Sequence, residues 1–91
     1  MSTVTMYSTS WCPECHSAKR FLTAKKVPFT EIDIEKELAK PREQLVGITG
    51  QRSVPQIVIG ETHVGCFDDL YALEHDGLLD GLLKLEGIET G

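Results

Sequence analysis

The order of strand-like and helix-like segments in this 91-residue sequence predicts an α/β fold in which helices cover a small mixed sheet. Residues 3–8 are rich in β-branched and aromatic side chains, and residues 29–34 alternate apolar and polar, as a half-exposed strand does. A helical pattern separates these two segments, which indicates a right-handed crossover connection. The complete order of elements is predicted to be βαβαββα.

The first helix is predicted to begin at Pro13, where the missing N–H of proline costs no hydrogen bond. Its buried face is marked by apolar residues at the i, i+3, i+4 spacing, namely Ala18, Phe21 and Leu22. A second helix is expected over residues 35–46, ending near Gly47. Pro41 either shortens this helix or marks its true start, because a proline interrupts a helix that continues through it.

The second half of the chain is predicted to form a strand pair followed by helix. Residues 54–59 form a short apolar strand, which a turn connects to a partner strand at residues 62–64. Asp68 and Asp69 are placed to cap the start of a third helix, which ends near Glu74. Leucines further along indicate a continuation of this helix or a short fourth one.

Length and composition predict one globular domain over residues 1–91, with frayed residues from Gly87 onward. No segment approaches the roughly 20 apolar residues of a membrane span, and the first residues do not resemble a signal sequence, so a cytoplasmic location is expected. The net charge of −5 disfavours nucleic acid as a partner, because phosphate binding needs a basic surface. We expect a monomer that acts on small molecules and proteins.

The most informative feature is a C-P-E-C motif at residues 12–15, at the start of the predicted first helix. Two thiols at this spacing can close a disulfide within one helical turn. The same spacing could serve as half of a zinc site, but Cys66 is the only further cysteine and no ligand pair accompanies it. A redox pair is therefore favoured and no metal is expected. A reduced pair of core cysteines is the alternative.

Helix geometry predicts different roles for the two cysteines of this motif. Unpaired backbone N–H groups and the helix dipole favour the thiolate of Cys12, whereas Cys15 should stay protonated until it attacks. Glu14 should oppose that thiolate only weakly if its carboxylate is exposed to water. Trp11 is interpreted as a substrate contact, with half-buried packing as the alternative. Cys66 is either a second modification site or a small residue at a strand end.

Three segments, in order, resemble the glutaredoxins of the thioredoxin-fold superfamily. Residues 6–16, MYSTSWCPECH, resemble the family's strand, loop and C-P-x-C segment. Residues 53–57, SVPQI, resemble the Thr-Val-Pro element, in which the proline is cis and faces the active cysteine. Residues 64–73, VGCFDDLYAL, resemble the segment that holds the γ-glutamyl end of glutathione.

The resemblance implies a thioredoxin fold, with a four-stranded mixed sheet and helices on both faces. It also implies a thiol–disulfide oxidoreductase that uses glutathione as co-substrate to reduce protein disulfides or glutathione mixed disulfides. Cys12 matches the nucleophile and Cys15 the resolving thiol. The residues that match glutathione-binding positions are Arg42, Arg52, Val54, Pro55, Phe67, Asp68 and Asp69.

The implied contacts follow the three parts of glutathione. The backbone of Val54 would pair with the cysteinyl unit. The amides of Phe67 and Asp68, with the Asp69 carboxylate, would hold the γ-glutamyl end. The side chains of the two arginines would take the glycyl carboxylate.

Three positions depart from the family pattern. Thr9 stands where many glutaredoxins carry lysine, Glu14 where they carry tyrosine, and Cys66 where they carry a second glycine. The first two changes disfavour an anionic tripeptide, so reduction by thioredoxin reductase or by another low-molecular-weight thiol stays open. The segment around Trp11 is also similar to the mycoredoxins, which act on mycothiol. A carrier of a [2Fe–2S] cluster is a further alternative, which Pro13 disfavours because it stiffens the loop.

Overall fold

The computed structural model describes residues 3–51 and 53–88. The helices and strands in this part of the chain are β1 Val4–Ser8, α1 Pro13–Ala24, β2 Phe29–Asp33, α2 Ile34–Glu37, α3 Pro41–Thr49, β3 Gln56–Ile59, β4 Thr62–Gly65, α4 Phe67–His75 and α5 Leu79–Leu85. Of these described helices, none combines the length and the apolar character that crossing a membrane requires.

The strands form one sheet in the order β2-β1-β3-β4. β1 is parallel to β2 and antiparallel to β3, and β4 is antiparallel to β3. The predicted α/β class with a four-stranded mixed sheet is therefore confirmed. Because Tyr7 pairs with Gln56, the loop after β1 and the loop before β3 lie at the same edge of the sheet.

The main core cluster joins the sheet to α1, α4 and α5. Every second residue of a strand points to the same face, so buried residues alternate along β1 and β3. The fully buried members of the cluster are Val4, Met6, Ala18, Leu22, Ile57, Ile59, Leu70, Leu79 and Leu83. Ile34 of α2 and Leu45 of α3 are buried outside this cluster. This packing holds the start of α1 against the edge of the sheet where the two loops meet.

The helix predicted over residues 35–46 is in fact two helices, α2 and α3. Lys40 (φ −125°, ψ 78°) lies outside the helical region, as expected for the residue before a proline. Pro41 therefore marks a true helix start, one of the two alternatives that the sequence left open. α3 continues through Gly47 and ends at Gly50, whose left-handed φ of 79° closes the last turn.

Three other boundaries differ from the prediction. β3 begins at Gln56, two residues later than expected, because Pro55 has no N–H to donate to the sheet. α4 begins at residue 67 with Cys66 at its N-cap position, and the two predicted aspartates lie in its first turn, where the Asp69 carboxylate accepts from the Cys66 N–H. Ile88, expected to fray, is 8% exposed and packs in the core cluster. The rest of the predicted frayed end, residues 89–91, lies outside the described residues.

Candidate active site

Cys12 is the N-cap residue of α1, and its sulfur faces two backbone groups. The backbone N–H of Cys15 donates to the Cys12 Sγ at 3.2 Å. The Cys12 thiol in turn donates to the carbonyl oxygen of Val54 at 3.7 Å. A hydrogen bond from an N–H to a thiolate is stronger than one to a neutral thiol, because the thiolate acceptor is charged. The helix start therefore directs a backbone hydrogen-bond donor at the Cys12 sulfur.

Cys15 lies one turn deeper in α1 and is only 1% exposed. Burial, together with a hydrogen bond to the Cys12 thiol, raises the pKa of Cys15 to about 12. The Cys15 thiol is therefore protonated at neutral pH, whereas the Cys12 sulfur has a donor group aimed at it. Both cysteines are free thiols in this structure. Cys12 is also largely buried, at 4% exposed, so the two thiols differ in their hydrogen bonds more than in their exposure.

The loop before β3 brings the Val54 carbonyl to the Cys12 sulfur. The Val54–Pro55 peptide bond is cis. Among the described residues, the N–H of Val54 makes no backbone–backbone hydrogen bond. Gln56, which is 1% exposed, holds this loop through its side chain. Its Nε2 donates to the Ser53 carbonyl at 2.9 Å and to the Ser53 hydroxyl at 3.1 Å.

The same glutamine links the loop to β4. The Oε1 of Gln56 lies 2.7 Å from the Nε2 of His63, which must donate here because the amide oxygen can only accept. His63 is exposed, and sequence reasoning did not find this link. The signal was weak, because two polar residues on adjacent strands become partners only after the register between the strands is known.

The start of α4 forms the next part of the site. One carboxylate oxygen of Asp69 accepts from the Cys66 N–H at 3.1 Å and from the Cys66 thiol at 3.3 Å. Gly65, with φ 117°, leaves room for that carboxylate, since a Cβ there would collide with it. A cavity of about 300 Å³ opens beside these residues, and Gln56 and His63 also line it. Its lining provides carboxylate, amide and imidazole groups near an exposed helix N-terminus.

Phe67 and Asp68, whose amides were predicted to bind a ligand, are the first two residues of α4. The amides at a helix start have no partner within the helix and so can bind an anion. The Phe67 side chain is half-buried and packs edge-on against Phe21, with ring centroids 6.0 Å apart. This contact ties the start of α4 to α1, the helix that carries the cysteines.

Trp11, which directly precedes Cys12, lies against Arg42. The Trp11 side chain is 60% exposed, and the Arg42 guanidinium carbon is 5.9 Å from the centroid of its ring. The indole Nε1 donates to the Glu35 carboxylate at 2.8 Å. Glu35 was not among the predicted site residues, since only the fold brings it to a residue 24 positions away. Arg52, also predicted for this region, lies outside the described residues.

Of the remaining positions, Glu14 lies inside the cysteine motif and Thr9 lies three residues before it. The Glu14 side chain is exposed in the first turn of α1. Thr9 is 2% exposed, and its hydroxyl has no hydrogen-bond partner among the residues that the structure describes. Thr9 and Glu14 therefore differ sharply in environment, and only Glu14 can meet a ligand directly.

This fold, with two cysteines one turn apart at the start of α1, is that of a thiol–disulfide oxidoreductase of the thioredoxin fold, as the family match shows. The family model for glutaredoxins matches residues 4–64. The chain belongs to the glutaredoxin family.

The similarity to known glutaredoxins extends along nearly the whole chain. A glutaredoxin of Neisseria meningitidis is 52% identical over 87 residues, which cover 92% of this chain and 99% of the relative. Glutaredoxin 3 of Escherichia coli K12 is 46% identical over 84 residues, covering 92% of this chain and all of the relative. The crystal structure of a buckwheat glutaredoxin–glutathione complex aligns with a TM-score of 0.85 at 26% identity, covering 94% of this chain and 80% of that one.

Proposed function

We propose that this protein is a glutathione-dependent oxidoreductase that reduces protein disulfides and glutathione mixed disulfides through Cys12 and Cys15. The observation that carries the proposal is the 3.7 Å contact between the Cys12 sulfur and the Val54 carbonyl. An extended peptide that pairs with the backbone of Val54 would bring its own sulfur next to Cys12. The buckwheat glutaredoxin that shares this fold was crystallised with glutathione.

The two ends of the proposed groove suit the charges of glutathione. The helix start of α4 offers the amides of Phe67 and Asp68 to the γ-glutamyl carboxylate, and Asp69 offers a carboxylate to the γ-glutamyl ammonium. Arg42 supplies positive charge for the glycyl carboxylate at the opposite end. We assign Arg52 the same role on its sequence position. The cysteinyl unit between the two ends would lie beside Val54 and Pro55.

The first chemical step is attack by the Cys12 thiolate on the glutathione sulfur of a mixed disulfide. The bond between glutathione and the protein substrate breaks, and the substrate leaves as a thiolate that takes a proton from water. Cys12 is then joined to glutathione. A second glutathione thiolate attacks that sulfur, which releases glutathione disulfide and restores the Cys12 thiolate. Each mixed disulfide that is reduced therefore consumes one free glutathione and releases one reduced protein thiol and one glutathione disulfide.

The second route uses Cys15 and serves protein disulfides. Cys12 attacks one sulfur of the substrate disulfide, and Cys15 then attacks Cys12 to release the reduced substrate. The product is a disulfide between Cys12 and Cys15, which two glutathione molecules reduce. Cys15 has to lose its proton for this step, and its pKa of about 12 makes it a weak competitor while glutathione is abundant.

The electron donor is tested by reconstitution with NADPH. Glutathione with glutathione reductase should drive turnover of a small mixed disulfide, whereas thioredoxin reductase alone should not. Turnover with thioredoxin reductase, or with another low-molecular-weight thiol in place of glutathione, would overturn the glutathione assignment and leave the oxidoreductase class intact. An absorption spectrum of the freshly purified protein tests the cluster-carrier alternative, because a bound [2Fe–2S] cluster is coloured.

A further inference from the structure

We infer that Glu35 is a positioning residue for the active site, acting through Trp11 on Arg42. Three side chains from three parts of the chain meet here: Trp11 from the loop before α1, Glu35 from α2 and Arg42 from α3. The inference deepens the proposed function, because it concerns the end of the groove assigned to the glycyl carboxylate. Cys12 follows Trp11 directly, so the position of the indole also bears on the reacting sulfur.

The hydrogen bond from Trp11 to Glu35 restricts an otherwise open side chain. The indole is 60% exposed, and an exposed aromatic side chain at a loop has several rotamers to choose from. Its single N–H donor is held at 2.8 Å by the Glu35 carboxylate, a charged acceptor. The backbone of Glu35 is itself held by the N-cap bond of Asp33, whose carboxylate accepts from the Glu35 N–H at 3.1 Å. The indole is therefore oriented from a fixed helix start.

The orientation of the indole matters because Arg42 lies over its face. The guanidinium carbon is 5.9 Å from the ring centroid, within the range of a cation–π contact. A carboxylate that accepts from the indole N–H pushes electron density into the ring and so strengthens its attraction for a cation. Glu35 thus restricts the position of the Arg42 guanidinium without itself contacting the substrate. Loss of Glu35 should leave the chemistry of Cys12 in place while weakening the binding of the glycyl carboxylate.

The test is a double-mutant cycle between Glu35→Ala and Trp11→Phe. Glu35→Ala should raise the KM for glutathione by about threefold with kcat nearly unchanged, as expected for a partly exposed hydrogen bond that acts on binding alone. Phenylalanine lacks the N–H donor, so Glu35→Ala should add nothing further in the Trp11→Phe background. Glu35→Gln keeps an acceptor and should restore most of the wild-type KM. Glu37→Ala, an exposed carboxylate of the same helix, is the matched control and should change nothing.

A second readout uses fluorescence, because Trp11 is the single tryptophan of the sequence. Glu35→Ala should lower the steady-state anisotropy of its emission, whereas Glu35→Gln and Glu37→Ala should not. This measurement needs no glutathione. If the rate shows no saturation with glutathione but Glu35→Ala still lowers the anisotropy, the proposed function is wrong and the link between Glu35 and Trp11 stands. An equal rise in KM in the Trp11→Phe background, a fall in kcat alone, or unchanged anisotropy would overturn the inference.

Discussion

The carbonyl oxygen of Val54 lies 3.7 Å from the sulfur of Cys12, although 42 positions separate the two residues. The pairing of Tyr7 with Gln56 across β1 and β3 brings about this approach. The Val54 backbone and the Cys12 sulfur, which is 4% exposed, thereby lie side by side, where the proposed peptide thiol would meet both.

Cys12→Ser should abolish thiol transfer, whereas Cys15→Ser should retain the activity that glutathione resolves. The reason is that a mixed disulfide on Cys12 can be attacked by a second glutathione, but a protein disulfide needs an internal partner. Assays with a glutathione mixed disulfide and with a protein disulfide measure the two routes. Activity in the Cys12→Ser protein would mean that the nucleophile is misassigned.

Arg42→Ala should raise the KM for glutathione by about tenfold and change kcat much less. A charge-assisted contact with the glycyl carboxylate is made in the ground state and in the transition state alike, so its loss appears as weaker binding. Lys84→Ala, which removes an exposed positive charge from α5, is the control for general attraction of an anion. If both variants weaken binding equally, the effect comes from net charge and Arg42 has no specific role.

Gly65→Ala should destabilise the protein by about 1–3 kcal/mol and also weaken glutathione binding. Alanine is strained at a φ of 117°, and its Cβ would displace the Asp69 carboxylate from the start of α4. Gly81→Ala is a matched control, because that glycine lies in α5 with open space around it and should gain about 0.5–1 kcal/mol. Urea unfolding compares both variants with the wild type, and a neutral Gly65→Ala would contradict the role assigned to this contact.

The ion pairs of Lys25 should make the stability of the protein fall at high pH. Lys25 Nζ lies 2.7 Å from an Asp80 oxygen and 2.8 Å from a Glu74 oxygen, joining α1 to α4 and α5. Hydrogen bonds to Asp80 and then to Glu74 raise the pKa of Lys25 above its ordinary value of 10.5. A raised folded-state pKa stabilises the protein below 10.5, and this contribution is lost as the pH rises through the folded value.

The measurement for Lys25 is urea unfolding from pH 8 to pH 11.5, with wild type compared to Lys25→Met. We expect an advantage of the wild type of about 1 kcal/mol or less at pH 8, shrinking above pH 10.5. The comparison cancels the titration of tyrosines and thiols that both proteins share. Lys84→Met, at an exposed position, should show no such pH-dependent difference. An advantage that is unchanged at pH 11.5 would rule out the ion pairs as its source.

Much of the fold could be predicted from local patterns. The alternation over residues 29–34 indicated β2, and Pro13 indicated the start of α1, because strand period and proline sterics act within a few residues. The division of the second helix was left open at Pro41. Whether Pro41 shortens that helix or begins a new one depended on the burial of Ile34 and Leu45, which no local pattern reveals.

For the candidate site, the sequence by itself determined the placement of the cysteine pair, with Cys12 at a helix start and Cys15 one turn deeper. The tertiary structure alone decided which distant groups meet that pair, namely the Val54 carbonyl and, through Trp11, the Glu35 carboxylate. It also decided how strongly burial raises the pKa of Cys15. The physical reason is that spacing along a helix is set by the backbone, whereas desolvation and contacts between distant residues exist only after the sheet has paired and the core has packed.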